Sequence, residues 1–145
     1  MASVEEAIDV RVPVRVAYRE WAQFETFPLF MDGVVEVRRL DETFVHWVAE
    51  VGGRRREWDA EIVRQVPHRV IEWRSIDAAQ PSGEVRFRPL DDGSTRIVVH
   101  MEYDPRGTER AGWALGVDRS RVKGDLERFK DVVEARAGDA CRPHA

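Results

Sequence analysis

Between Ser3 and Val12 apolar and polar positions alternate, with Val4, Ile8, Val10 and Val12 on one side and Glu5, Asp9 and Arg11 on the other. Period two over this length predicts a half-buried strand. Pro13 then ends pairing and suits the first turn of a helix. Ala17, Trp21 and Phe24 recur at helical spacing, and Phe27, Phe30 and Met31 follow, with Pro28 placed to open a second short helix and Gly33 to close it. Six more strands are predicted at about 34–40, 43–51, 54–66, 70–76, 83–90 and 94–104. The last element, from about Ala111 to Arg136, carries Leu115, Val122, Leu126, Phe129 and Val133 as a helical apolar stripe. Gly112, Gly116 and Gly124 each cost this helix about 1 kcal/mol against alanine and favour a kink or a start near Val117.

The turns set the register. A Gly52-Gly53 link favours a two-residue hairpin, which sets Val51 against Arg54, Ala49 against Arg56, Trp47 against Trp58 and Val45 against Ala60. Asp91-Asp92-Gly93 reads as a three-residue loop with glycine at the left-handed position, pairing Phe87 with Ile97 and Val85 with Val99. Alternation then collects Trp47, Trp58, Ile62, Ile71, Trp73, Ser75, Val85, Phe87, Val99, Met101 and Tyr103 on an inner face. Glu57, Asp59, Glu61, Glu72, Arg74, Arg86, Arg88, Arg96 and Glu102 fall on an outer one. An antiparallel sheet with one wet face accounts for the division, and the long helix has that inner face to cover.

Composition narrows the function classes. A chain of 145 residues suits one domain, taken as residues 1–138 with a disordered tail at 139–145. A formal net charge of -4 with mixed signs argues against a nucleic-acid partner. The single cysteine, Cys141, excludes an internal disulfide or cysteine-based metal site and fits a cytoplasmic location. No apolar run approaches the roughly 18 residues of a membrane span. His46 and His100 fall on the outer face, His68 in a turn and His144 in the tail, so no metal site or cofactor is expected. Glu57, Asp59 and Glu61 at period two read as cross-strand ion pairs.

The order strand, two short helices, six strands, long helix resembles the START-like, helix-grip superfamily, also called Bet v 1-like or SRPBCC. Within it the chain is similar to the bacterial polyketide cyclase/dehydrase or coenzyme Q-binding type. Val12-Pro13 with Ala17, Tyr18 and Trp21, Phe27-Pro28 with Phe30-Met31, Glu57 to Ile62, Ile71 to Ser75 and Asp125 to Lys130 carry the resemblance. It implies an α+β fold: a seven-stranded curved antiparallel sheet gripped by the short helices and covered by the last one. A cystatin-like cone shares such a sheet, but its helix usually comes first.

The resemblance also implies a cavity for a hydrophobic small molecule such as a lipid, quinone or polyketide. Its expected lining is Trp47, Trp58, Trp73, Ser75, Phe87, Met101 and Tyr103 from the sheet, Phe30 from the short helices, and Leu126 and Phe129 from the last helix. The three tryptophans either line such a space or fill it against Leu126 and Phe129. Candidate acid/base groups are Glu6, Arg56 and Tyr103: an enclosed Glu6 would be a base, Arg56 would hold an enolate, and the Tyr103 phenol would donate to a carbonyl. Each has a plainer reading, since Glu6 and Tyr103 lie near strand ends and Arg56 near a hairpin tip. Three functions stay open: a carrier or sensor of an apolar ligand, an aromatase/cyclase-like enzyme, and an interaction module using the outer sheet, where Val63 and Val98 are expected to be exposed, or the glycine-bearing helix. A monomer and a homodimer both remain open.

Overall fold

The computed structural model describes residues 2–31, 33–51, 53–76, 82–103 and 119–141. Along them run β1 (Ala2–Val10), α1 (Val14–Trp21), a 3-10 helix (Phe24–Leu29), β2 (Val34–Arg39), β3 (Phe44–Val51), β4 (Arg54–Val66), β5 (Val70–Ser75), β6 (Ser82–Pro89), β7 (Thr95–Tyr103) and α2 (Arg119–Cys141). The seven described strands form one antiparallel sheet in the order β1-β7-β6-β5-β4-β3-β2. This is the α+β arrangement that the resemblance implies.

Because β1 and β2 occupy opposite edges of the sheet, the segment joining them must cross its inner face. That crossing is α1 and the 3-10 helix. It begins where Thr95, fully buried, donates its hydroxyl to the Val12 carbonyl at 2.8 Å. Pro13 stands as the N-cap, one residue earlier than a first-turn position, and its carbonyl accepts from the Val16 and Ala17 amides. Ala17, Tyr18 and Trp21 form the buried face of α1. In the 3-10 helix, Phe24 and Phe27 point inward.

Every pairing expected across both hairpins is present, Trp47 with Trp58 and Phe87 with Ile97 among them. Gly53 and Gly93 adopt the left-handed backbone those turns require, at φ 78° and 84°. Alternation read straight through the strands misses two irregularities. Register shifts at Val34/Glu36 on β2 and at Ile62/Arg64 on β4 leave Val35 and Val63 as extra residues, and such bulges bend a strand. Beyond Val63 the parity is reversed: Gln65 donates to the Tyr18 hydroxyl at 2.8 Å, and Tyr18 meets Phe87 edge-on.

The α2 helix buries Val122, Leu126, Phe129 and Val133 against the sheet and α1. It continues through Gly138 to Cys141, three residues into the stretch expected to be a tail. Ala135, Ala137 and Ala140, strong helix formers, support the extension. The expected helix start at 111–118 and the tail residues 142–145 lie outside the described residues. No described helix is long and apolar enough to cross a membrane.

Gly83 permits a close approach of strands. It sits in the row Trp73–Gly83–Met101, and a Cβ there would lie 2.1 Å from the His100 carbonyl oxygen. Gly83→Ala must therefore push β6 from β7, and we expect a loss of about 1–3 kcal/mol in denaturant unfolding. Unchanged stability would contradict the tight spacing.

Candidate functional site

Three neighbouring rows of the inner face have unequal bulk. Trp47 opposes Trp58, while the next rows hold Val45–Ala60–Ser75 and Trp73–Gly83–Met101. Small side chains at Ala60 and Ser75 leave a hollow beside large ones. Above it, α2 presents Val122, Asp125 and Leu126 as the roof. The result is a cavity of about 110 Å³ between sheet and helix.

Its floor is dominated by the tryptophan pair, whose ring centroids lie 5.9 Å apart with planes 7° from parallel. Directly opposed residues on one face of an antiparallel pair are held side by side, and offset stacking suits two aromatic quadrupoles at this spacing. Phe27 leans on Trp47 at 5.4 Å, and Trp21, Phe24 and Met31 extend that side wall. Trp58 is 9 % exposed, whereas Trp47, Trp73, Ile62 and Met31 are only half-buried, as an unfilled space beside them requires.

The expected lining residues divide. Trp47, Trp58, Trp73, Ser75, Met101 and Leu126 all stand in the cavity wall. Phe30, Phe87 and Phe129 do not: they are built into ring contacts around Trp21, at 5.8, 6.3 and 4.8 Å. Tyr103 pairs with Ala2 through its backbone, and its side chain lies outside what the structure describes. Glu6 is half-buried opposite Val99, outside the cavity wall. Arg56 is exposed beside the hairpin end. Val63 is 44 % exposed at its bulge, and Val98 is half-buried between Ala7 and Arg86.

Asp125 was not singled out as a site residue, yet it is the ionisable side chain of the described wall. Its place is readable in hindsight: three residues after Val122 and four before Phe129, it shares their helix face. Its carboxylate pairs with the Arg128 guanidinium, whose Nε donates to the Phe30 carbonyl at 2.9 Å. Ser75 is the other polar side chain in the wall, and its amide is held by the Ser82 hydroxyl at 3.0 Å. A carboxylate and a hydroxyl set into an apolar wall can orient a ligand's polar group or move a proton. Among the described residues no group of His, Cys, Asp and Glu is arranged to hold a metal.

The outer face carries different chemistry. Glu61 pairs with Arg74 at 2.8 Å and Arg64 with Glu72 at 3.2 Å. His46 lies between two carboxylates, Nδ1 at 2.7 Å from Asp59 and Nε2 at 3.0 Å from Glu57. Since both acceptors are oxygens, both ring nitrogens must donate, which requires the imidazolium. The hydrogen bonds to Asp59 and then Glu57 accordingly raise the His46 pKa above its ordinary value, and the bond to His46 lowers that of Glu57.

A model of the family described as polyketide cyclase / dehydrase and lipid transport matches residues 10–130. An uncharacterized 17.2 kDa protein of the melC2-rnhH intergenic region of Streptomyces lincolnensis is 44% identical, over 94% of this chain and 92% of that protein. The granaticin polyketide synthase bifunctional cyclase/dehydratase of Streptomyces violaceoruber is 30% identical over 88% of this chain, which spans only 44% of that longer protein. Among solved structures, a Deinococcus radiodurans protein superposes with a TM-score of 0.74 at 28% identity, covering 94% of this chain and 99% of that one. The Zhui aromatase/cyclase from a Streptomyces species gives 0.75 at 20% identity, covering 94% and 95%.

Two measurements check this geometry. Phe129→Ala should cost about 3–5 kcal/mol, as emptying a packed core does, and Trp47→Ala should cost less because part of its surface already faces a void. Equal losses in urea unfolding would mean a filled interior. For His46, a raised folded pKa gives stability present in full below about 6.5 and lost as pH rises through the folded value. For Glu57, a lowered pKa gives stability present above the usual carboxylate range and lost as pH falls. The melting-temperature difference between the protein and His46→Gln should therefore be largest near pH 5.5–6 and shrink toward pH 9, by about the amount an exposed ion pair contributes. A difference independent of pH would contradict the imidazolium assignment.

Proposed function

Because the chain belongs to the polyketide cyclase / dehydrase and lipid transport family, we propose that it binds a hydrophobic, ring-bearing small molecule in the cavity between sheet and α2. The observation that carries this reading is the parallel Trp47–Trp58 stack beside an unfilled space. A flat apolar ring laid beside the indoles continues the stack and gains aromatic contact together with burial. A space of about 110 Å³ is of the order of the ~150 Å³ apolar cavity that admits benzene, so one ring is the natural occupant. Ser75 and Asp125 supply the few polar contacts that fix orientation in an otherwise apolar site.

A second reading is favoured by the 30% identity to a cyclase/dehydratase. In it the cavity folds a poly-β-keto chain so that an enolisable carbon meets a carbonyl. Proximity then supplies much of the rate: Asp125 takes one proton from that carbon, the enolate closes a C–C bond on the carbonyl carbon and the oxygen receives the proton as a hydroxyl, and Asp125 then takes the second proton and gives it to the departing hydroxyl, which leaves as water.

Native mass spectrometry of the protein mixed with p-cresol or with a linear poly-β-ketone thioester separates the readings. The binding reading predicts a one-to-one p-cresol adduct, lost in Trp47→Ala, with the thioester unchanged. Dehydrated cyclic product, absent with Asp125→Asn, would establish the second reading. Neither adduct nor product would overturn both.

A further inference from the structure

We propose that Arg128 sets the size of ligand the cavity admits, acting as a latch between α2 and the segment that follows the 3-10 helix; this rests on the binding reading above. Among the described residues α2 is fastened unevenly. From Phe129 onward the helix is held at almost every turn. Apolar burial is alike along the helix, since Val122 and Leu126 are as enclosed as Phe129 and Val133, and the difference among the described residues lies in the polar ties. Lys130 donates to the Asp9 carbonyl at 3.0 Å, the Glu134 carboxylate accepts the Arg11 amide at 2.9 Å, and Arg136 pairs with Glu20 at 2.7 Å. These ties bind that half of the helix to β1, to the turn after it and to α1.

The half before Phe129 lies over the cavity. There Val122, Asp125 and Leu126 stand in the cavity wall, Val122 and Leu126 also packing into the core. The polar tie that the described residues show across this gap is Arg128, whose Nε donates to the Phe30 carbonyl while Nη2 engages Asp125. One planar guanidinium thus joins a residue of the roof to the chain between Phe27 and Met31, both in the opposite wall. Its fixed fork makes the two bonds together, which a lysine ammonium on a flexible stem does poorly.

At about 110 Å³ the cavity is smaller than the roughly 300–1,000 Å³ that larger ligands occupy. Admitting more than one ring requires roof and wall to part, and the uneven fastening places that movement in the half of α2 before Phe129. Arg128 opposes it. Its side chain is 46 % exposed, so its bonds contribute little to global stability while bearing directly on this local opening.

The test compares Arg128→Met and Arg128→Lys with the unaltered protein. Stopped-flow quenching of tryptophan fluorescence gives association rates for p-cresol, with one ring, and alizarin, with three fused rings. Amide hydrogen exchange is followed along α2. We expect the alizarin-to-cresol rate ratio to rise about tenfold in Arg128→Met, the factor that loss of one charge-assisted hydrogen bond represents, and to be intermediate in Arg128→Lys. Exchange should quicken at 122–128 and stay unchanged at 130–136. An unchanged ratio, or exchange that is unaltered or raised uniformly along the helix, overturns the latch. If neither compound binds the unaltered protein, the binding reading fails, and the exchange pattern alone decides whether Arg128 holds this half of the helix.

Discussion

The structure depends on one aromatic knot. Trp21 of α1 meets Phe129 of α2 at 4.8 Å, and Phe30 closes the triangle at 5.8 and 5.0 Å. These three rings come from three separate stretches of chain and are nearly excluded from water. Large rings bury more area than any other side chains, so the knot fixes the height of α2 above the sheet at one end. At that height Val122 and Leu126 roof a floor that dips at Ala60 and Ser75. The cavity is thus the remainder left by a spacer of fixed size and a floor of uneven bulk.

Much of this was legible in the chain, for local reasons. Period-two alternation fixed which residues face inward, and two glycine turns fixed register, so the Trp47–Trp58 pairing could be derived before any coordinates. Alternation fails where the backbone departs from it: the bulges at Val35 and Val63 have no sequence signature beyond an extra residue. The site was legible only in part. Parity places Phe87 on the same face as Trp47, but parity does not say which part of a face is covered. Trp21 reaches across from α1 to cover Phe87, and that long-range contact between residues 21 and 87 is set by the crossing path of the chain. Asp125 went unmarked because a carboxylate beside an apolar stripe reads as solvated flank; the Arg128 bond and the hollow beneath it become visible only in three dimensions.

The two faces of the sheet divide the protein's work. Outside, charges pair across strands, and His46 between Asp59 and Glu57 lets one patch of that surface respond to pH without touching the interior. In the described cavity wall chemistry is sparse: the Asp125 carboxylate, the Ser75 hydroxyl and indole N–H groups amid apolar carbon. In the proposed binding role such a wall would select by shape and stacking, with orientation left to one or two polar contacts. Membership of the polyketide cyclase/dehydrase and lipid transport family agrees with a cavity of this kind, and the aromatic floor makes a flat ring the occupant the geometry favours.

The central claim is that this hollow receives a ring. Met31 and Met101 place two methyl groups in its wall, one on the short-helix side and one on the sheet. Carbon-13 NMR of those methyls during titration with p-cresol observes the space itself. The account predicts that both resonances move upfield together, by the ring current of an aromatic neighbour, and saturate at one equivalent. Both methyls staying in place at saturating p-cresol would contradict it.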